Sequence, residues 1–359
     1  MPAPLTLPVI SISPYLPTQH DQYSDLDRAR VAQDLHRACR DIGFFYLKVN
    51  DYVTETERQR ILDSGREFFL HSTEEEKATI GLAHGDGARG YQKLKQNITM
   101  GKADHHEGLD LYADSPYAKG EELDAHGKLK PLGGKNQWPN RPAGFQEEMQ
   151  KWIEKMKVLG LIVMKAMADG LGMTESEWQE LQGMVEDSFW VTRVIGYPPL
   201  PEGAQGVSCG AHKDYGCLTL LHTDDTSKAL QVFLRPTPVA GQPSAKEDVG
   251  VWIDADPIDG CFVVNVGEMW EVWTNGLYRS TLHRVIHRSP KFRVSLPFFF
   301  EPAFDAEVRP LHAAKRKIEQ EGWIVENQGT VERTGVRYGD FLISKVVGNF
   351  VDTDKPDLA

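Results

Sequence analysis

Between residues 189 and 300 the chain is cut into seven short β-rich runs, at 189–195, 217–222, 230–234, 251–253, 262–266, 281–286 and 292–300. Turn-forming residues separate them, and strands this short and this closely spaced fit an all-β sandwich or barrel. A helix-rich core cannot be built from such a stretch, because none of the runs carries the three-and-four residue recurrence of a buried helix.

The flanks read differently. Residues 8–12 form a short strand, and Ser24 with Asp27 makes a capping box for a helix striped by Val31, Leu35, Ala38 and Cys39. Residues 43–49 read as a strand and 55–69 and 73–79 as helices, while 84–140, rich in Gly, Lys, Asp and Pro, reads as long irregular segments. Phe145, Met149, Trp152, Met156, Leu159 and Val163 mark a long helix ending near Leu171, and Thr174 caps a shorter one through Leu181. From 312 to 350 the pattern is helical again. The expected fold class is α+β with a mainly β core. It divides into a mixed N-terminal region (1–185), a catalytic β core (186–305) and a helical tail packed on it (306–359). Residues 235–250, rich in Pro, Gly and Ala, read as a long loop between core strands.

Charge and cysteine usage narrow the partners. The net charge is -12, from 40 Lys and Arg against 52 Asp and Glu, which argues against a general polyanion-binding surface. Cys39, Cys209, Cys217 and Cys261 form no CxxC pair and suit reduced, mostly buried thiols. The first residues, MPAPLTLPVISISPYLP, lack the basic and apolar stretches of a secretory leader, and no window approaches 18 uninterrupted apolar residues. The reading is a cytoplasmic protein with a small-molecule substrate and with neither nucleic acid nor membrane as partner.

The chemistry centres on His212-Lys213-Asp214. In an extended chain residues i and i+2 share a face, so an imidazole and a carboxylate point together into the barrel. Two ligands do not hold a metal firmly. His283 lies on a later strand and supplies a third, giving two His and one carboxylate, the facial triad of non-haem Fe(II) sites with open positions. Downstream, Arg293 and Ser295 share a face on an otherwise apolar run. A buried guanidinium needs an anionic partner, and its fork of donors matches a carboxylate. His287 has the same strand parity as His283 and is the rival ligand. His222 reads as a core histidine. Asp104-His105-His106-Glu107 resembles a metal cluster, but its consecutive side chains are expected to fan out, so it reads as a solvated or substrate-facing segment.

These motifs resemble the isopenicillin-N-synthase-like family of non-haem Fe(II)/2-oxoglutarate-dependent dioxygenases. The matching pieces run in family order along nearly the whole chain. They are the early Pro8-Val9-Ile10 strand, Gly43-Phe44-Phe45-Tyr46, the Thr73 to Lys77 run, Tyr197-Pro198-Pro199 and Ala211-His212-Lys213-Asp214-Tyr215-Gly216. Thr274-Asn275-Gly276, the stretch from Ser280 to Val285 and Arg293-Val294-Ser295 complete the set. The resemblance implies a double-stranded β-helix (jelly roll) and iron held by His212, Asp214 and His283. It implies that Arg293 and Ser295, helped by Tyr197, bind the distal carboxylate of 2-oxoglutarate. It also favours His283 over His287. The implied reaction consumes O2 and 2-oxoglutarate, releases succinate and CO2, and hydroxylates, desaturates or cyclises a small molecule. The chain departs from the family in Gly267-Glu268, where Gly-Asp is usual, and in the long 235–250 loop.

The substrate side stays open. Arg193, Tyr215, Tyr91 and Asn97 are the candidate substrate residues. Arg193 and Tyr215 also match the ethylene-forming branch of the family, in which 2-oxoglutarate is itself fragmented, but Asn97 stands where that branch has an acid. The same residues are compatible with an oxidase like isopenicillin N synthase that uses no 2-oxoglutarate, with a ligand sensor without turnover, and with a zinc hydrolase.

Overall fold

The computed structural model describes residues 6–99, 101–200, 206–237, 239–241, 249–324 and 335–348. Its strands are β1 (Val9–Ser11), β2 (Phe44–Lys48), β3 (Gly90–Gln92), β4 (Ile98–Thr99), β5 (Lys102–Ala103), β6 (Glu107–Tyr112), β7 (Val191–Tyr197), β8 (Cys209–His212), β9 (Leu218–Thr223), β10 (Leu230–Leu234), β11 (Val251–Asp254), β12 (Cys261–Val266), β13 (His283–Val285), β14 (Arg293–Phe300), β15 (Glu307–Val308) and β16 (Val336–Arg337). Eight of them form one sheet, ordered β1-β2-β12-β9-β14-β7-β6-β3, and four form a second, ordered β11-β10-β13-β8. Apart from the parallel β1–β2 pair, neighbours in both sheets run antiparallel. The fold is a jelly roll.

Side-chain alternation gives the large sheet two unlike faces. On β2, Phe45 and Leu47 join one buried cluster, while Phe44 and Tyr46 join another. The first cluster holds Val294, Leu296 and Phe298 of β14 and the apolar stripes of the covering helices α1 (Asp25–Asp41), α2 (Glu55–His71) and, after the short α3 (Glu74–Ala78), α4 (Phe145–Gly170). The second lies between the sheets, where Ile195, Tyr197 and Val263 meet Leu230, Val232 and Val285. That inner face carries the polar groups described below.

Helix starts follow local chemistry. Ser24, Thr54, Thr73 and Thr174 each accept from the backbone N–H three residues on, and the acid at that position returns the bond. Each box satisfies otherwise orphaned N–H groups. The helix opened by Thr174 is α5 (Glu175–Val185); α6 (Glu268–Trp273), α7 (His312–Glu321) and α8 (Tyr338–Gly348) follow. Residues 325–334 and 349–359 of the expected helical tail, and 238 and 242–248 of the expected loop, lie outside the described residues.

One expectation needs correcting. Residues 84–140 are not irregular throughout, because Glu107–Tyr112 is a buried strand paired with β7. Its alternation is short, with only Leu109 and Leu111 marking the apolar face, while Gly108 and Asp110 belong to the polar inner face. β1, β2, β3 and β6, all from residues 1–185, therefore complete the same sheet as the core strands.

Gly160 in the middle of α4 shows how closely the cover sits. A Cβ there would clash with the Phe300 ring. Gly160→Val should lower stability by about 1–3 kcal/mol through overpacking, measured by urea unfolding; unchanged stability would contradict this packing.

Candidate metal centre

His212 ends β8 and His283 opens β13, and the antiparallel register sets them opposite each other, with ring centroids 4.2 Å apart. Each Nδ1 lies against a backbone carbonyl two residues upstream, Gly210 O at 2.8 Å and Thr281 O at 3.1 Å. A carbonyl only accepts, so each Nδ1 carries a proton and Nε2 is the nitrogen left to face a metal. Both Nε2 atoms face Asp214 Oδ1, at 3.5 and 3.6 Å. Asp214 lies just beyond the end of β8, not within a continuous strand as the i, i+2 argument supposed. Its other oxygen accepts from Thr219 Oγ1 of β9 and from Asn265 Nδ2 of β12, the latter at 2.6 Å. Burial opposes ionisation of Asp214, but the two imidazoles and these two donors outweigh it and hold the carboxyl below its usual range. His283 is pushed down to about 4 by burial and by His212, so its ring is neutral near pH 7.

The three donor atoms lie within 4.8 Å of one another. Two imidazole nitrogens and one carboxylate oxygen, each oriented by a hydrogen bond on its far side, fit a divalent iron with open positions. Phe44 closes one flank of His283, edge-on at 5.2 Å.

Arg293, on the inner face of β14 in the large sheet, is 1% exposed. Its Nε and Nη1 have no hydrogen-bond partner, and no carboxylate among the described residues pairs with it. Its guanidinium lies 4.7 Å over the ring of Tyr197, its register partner on β7. Ser295, two residues along β14, shares that face and pairs in register with Ile195 of β7. A buried guanidinium left so is costly by several kcal/mol, roughly, and its open fork fits a carboxylate brought from outside.

The other singled-out residues are placed as follows. Arg193 on β7 donates through Nε to Asp110 Oδ1 at 2.7 Å and through Nη2 to Gln92 at 3.2 Å. Tyr215, next to Asp214, has Phe341 edge-on at 6.3 Å and Lys345 Nζ 4.9 Å over its ring, both from α8. Tyr91, at the outer edge of the sheet, donates to Glu107 at 2.6 Å and packs against Phe68. Asn97 donates to Asp104 at 2.6 Å. His287 is outside the triad, its Nε2 bonded to Lys291 O at 2.7 Å. His222 sits on the helix-covered side beside Trp152 and Phe262. Asp104 and His106 do not fan out into solvent: both are buried while His105 between them is half-exposed, the two-residue period of extended chain. Thr219 and Asn265, which orient Asp214, carry no motif of their own. Only their alternation on strands beside the triad could have marked them.

A family model described as non-haem dioxygenase in morphine synthesis N-terminal matches residues 7–141, and one described as 2OG-Fe(II) oxygenase superfamily matches 186–302. Homoarginine-6-hydroxylase 2-ODD-C23.2 of Arabidopsis thaliana is 38% identical over 349 residues, covering 96% of this chain and 89% of the relative. The chain belongs to the 2OG-Fe(II) oxygenase superfamily. Homoarginine-6-hydroxylase 2-ODD-233 of Oryza sativa subsp. japonica is 37% identical, covering 96% and 98%. In fold, a full-length Neurospora crassa protein crystallised with alpha-KG superposes with a TM-score of 0.74 at 22% identity, covering 97% and 98%. This oxygenase is thus an Fe(II)- and 2-oxoglutarate-dependent enzyme, with O2 as co-substrate, acting on a small molecule. Among its described residues no helix is long and apolar enough to cross a membrane.

Two residues after Asp214, a side chain at Gly216 would land on the carboxyl of Glu301, whose Oε2 has no donor. Burial pushes the Glu301 carboxyl from its ordinary 4.5 up to about 8. The unfolded chain releases this proton near the ordinary value and the folded oxygenase keeps it, so stability falls as pH rises from there through about 8. Glu301→Gln should remove that loss. Melting at pH 5, 6.5 and 8 should show the variant gaining on the wild type as pH rises, and a pH-independent difference would reject the shift.

Proposed function

We propose that His212, Asp214 and His283 hold the iron, that Arg293 with Ser295 and Tyr197 anchors the distal carboxylate of 2-oxoglutarate, and that the product is a hydroxylated small molecule. The observation that carries this reading is the pairing of two incomplete sites in the space between the sheets: three convergent metal donors, and a buried guanidinium with no acid paired to it among the described residues. The bound iron and 2-oxoglutarate would supply the oxidising chemistry, while the protein supplies orientation and a dry pocket. Gly210 O and Thr281 O keep the two Nε2 atoms turned inward, and Thr219 with Asn265 keeps Asp214 ionised and aimed. Phe44, Ile195 and Val232 help to keep water from the space between the sheets.

Hydroxylation is favoured over desaturation, cyclisation or ethylene formation because relatives matched over 96% of the chain are named homoarginine-6-hydroxylases. A guanidino amino acid such as L-homoarginine is the first substrate to test. In this reading the described residues of 186–305 carry the ligands, those of 1–185 supply the substrate-facing wall and those of 306–348 cover the site. Four cysteines without a disulfide suit a reducing, cytoplasmic setting.

The test is an anaerobic titration with Fe(II) and then 2-oxoglutarate, read by the weak visible charge-transfer band of the chelate, followed by succinate release with L-homoarginine. His212→Ala should lose the band. Arg293→Leu should raise the 2-oxoglutarate needed by about tenfold or more, the worth of a lost charged hydrogen bond. An unaltered requirement would remove Arg293 from this role.

A further inference from the structure

Beside the co-substrate residues lies a buried acceptor that nothing in the described chain fills. His106 is 1% exposed, and its Nδ1 lies 2.8 Å from Ser208 O. That carbonyl can only accept, so Nδ1 carries the proton and Nε2 the lone pair. Nε2 is buried and has no hydrogen-bond partner. The ring packs against Tyr197, with centroids 5.5 Å apart. By strand parity His106 shares the inner face with Gly108 and Asp110, which lie opposite Ile195 and Arg193 of β7.

The polar groups around it are already engaged. Asp104 accepts from Asn97, from Thr99 and from the Gly210 N–H, at 2.6, 2.7 and 2.9 Å. These bonds tie the β4–β5 hairpin onto β8, two residues before His212, and any side chain on Gly210 would meet Thr99 at 2.7 Å. Arg193 is spoken for by Asp110 and Gln92.

A lone pair needs a donor. The oxygens of ionised 2-oxoglutarate only accept and cannot supply one. A cation could use the ring, since Asp104, His106 and Cys209 offer ligand atoms within 4.8 Å of one another. The three donors already held by Asp104 count against that occupant. We propose that His106 Nε2 accepts a hydrogen bond from a nitrogen of the primary substrate, making His106 a specificity-determining residue for an ammonium, amine or guanidinium group. This rests on the oxygenase site proposed above and names the class of substrate it takes. A buried acceptor left unpaired discriminates against analogues that lack the donor.

The experiment uses the full chain loaded anaerobically with Fe(II) and 2-oxoglutarate, with the chelate band as the readout. The probes are L-homoarginine, norleucine, which lacks its terminal nitrogens, and 6-guanidinohexanoate, which lacks its α-amine. His106→Leu and His106→Gln should both keep the chelate band, showing that the co-substrate site is intact. In the wild type, L-homoarginine should shift the band, and one trimmed probe should bind at least about tenfold more weakly. In His106→Leu that difference should collapse, while His106→Gln, which keeps an acceptor, should retain most of it. The proposal is overturned if the wild type does not respond to L-homoarginine, or if His106→Leu binds all three probes as the wild type does. It is also overturned if a second equivalent of Fe(II) or Zn(II) binds the wild type and is lost in His106→Leu. A wild type without any chelate band would instead refute the oxygenase site itself, and this inference with it.

Discussion

The Asp214 carboxylate is shared between the two sheets, and the site depends on that division. One oxygen is held by Thr219 and Asn265, from adjacent strands of the large sheet. The other faces two imidazoles on adjacent strands of the small sheet. The backbone carbonyl of Asp214 also accepts from the Glu268 N–H at the start of α6, at 2.9 Å. A buried carboxylate so fully engaged stays ionised, and an ionised carboxylate facing two imidazole Nε2 atoms is a ready cation site.

The inner face of the large sheet can be polar because the outer face bears most of the apolar burial. Helices α1, α2 and α4 cover that outer face with the larger cluster, leaving β6, β7 and β14 free to present Asp110, Arg193, Tyr197, Arg293 and Ser295 inward. Arg193 and Arg293 lie on neighbouring strands but differ in kind. The first is balanced by Asp110, whereas the second has no acid paired to it among the described residues. That asymmetry separates a guanidinium held by an acid of its own sheet from one whose Nε and Nη1 are left open.

Much of this was legible in the sequence, for identifiable reasons. The β10 strand, Leu230–Leu234, and the long helix from Phe145 announce themselves because apolar residues alone decide their faces. The triad residues and the Arg-x-Ser pair were legible because their chemistry is unusual for buried positions. β6 was not, since its alternation rests on only Leu109 and Leu111 within a stretch rich in Gly, Lys, Asp and Pro. Nor were the burial of Asp104 and His106 and the engagement of Tyr91 by Glu107, because these depend on partners 16 to 106 residues away in the chain. Thr219 and Asn265 are ordinary strand residues until the fold sets Asp214 between them.

The most direct measurement is an anaerobic crystal structure with Mn(II) in place of iron and 2-oxoglutarate bound, the metal located by its anomalous scattering. The account predicts a single strong peak bonded to His212 Nε2, Asp214 Oδ1 and His283 Nε2, with the distal carboxylate of 2-oxoglutarate on the Arg293 fork. A metal on another donor set, such as Asp104, His106 and Cys209, or a carboxylate seated away from Arg293, would contradict it.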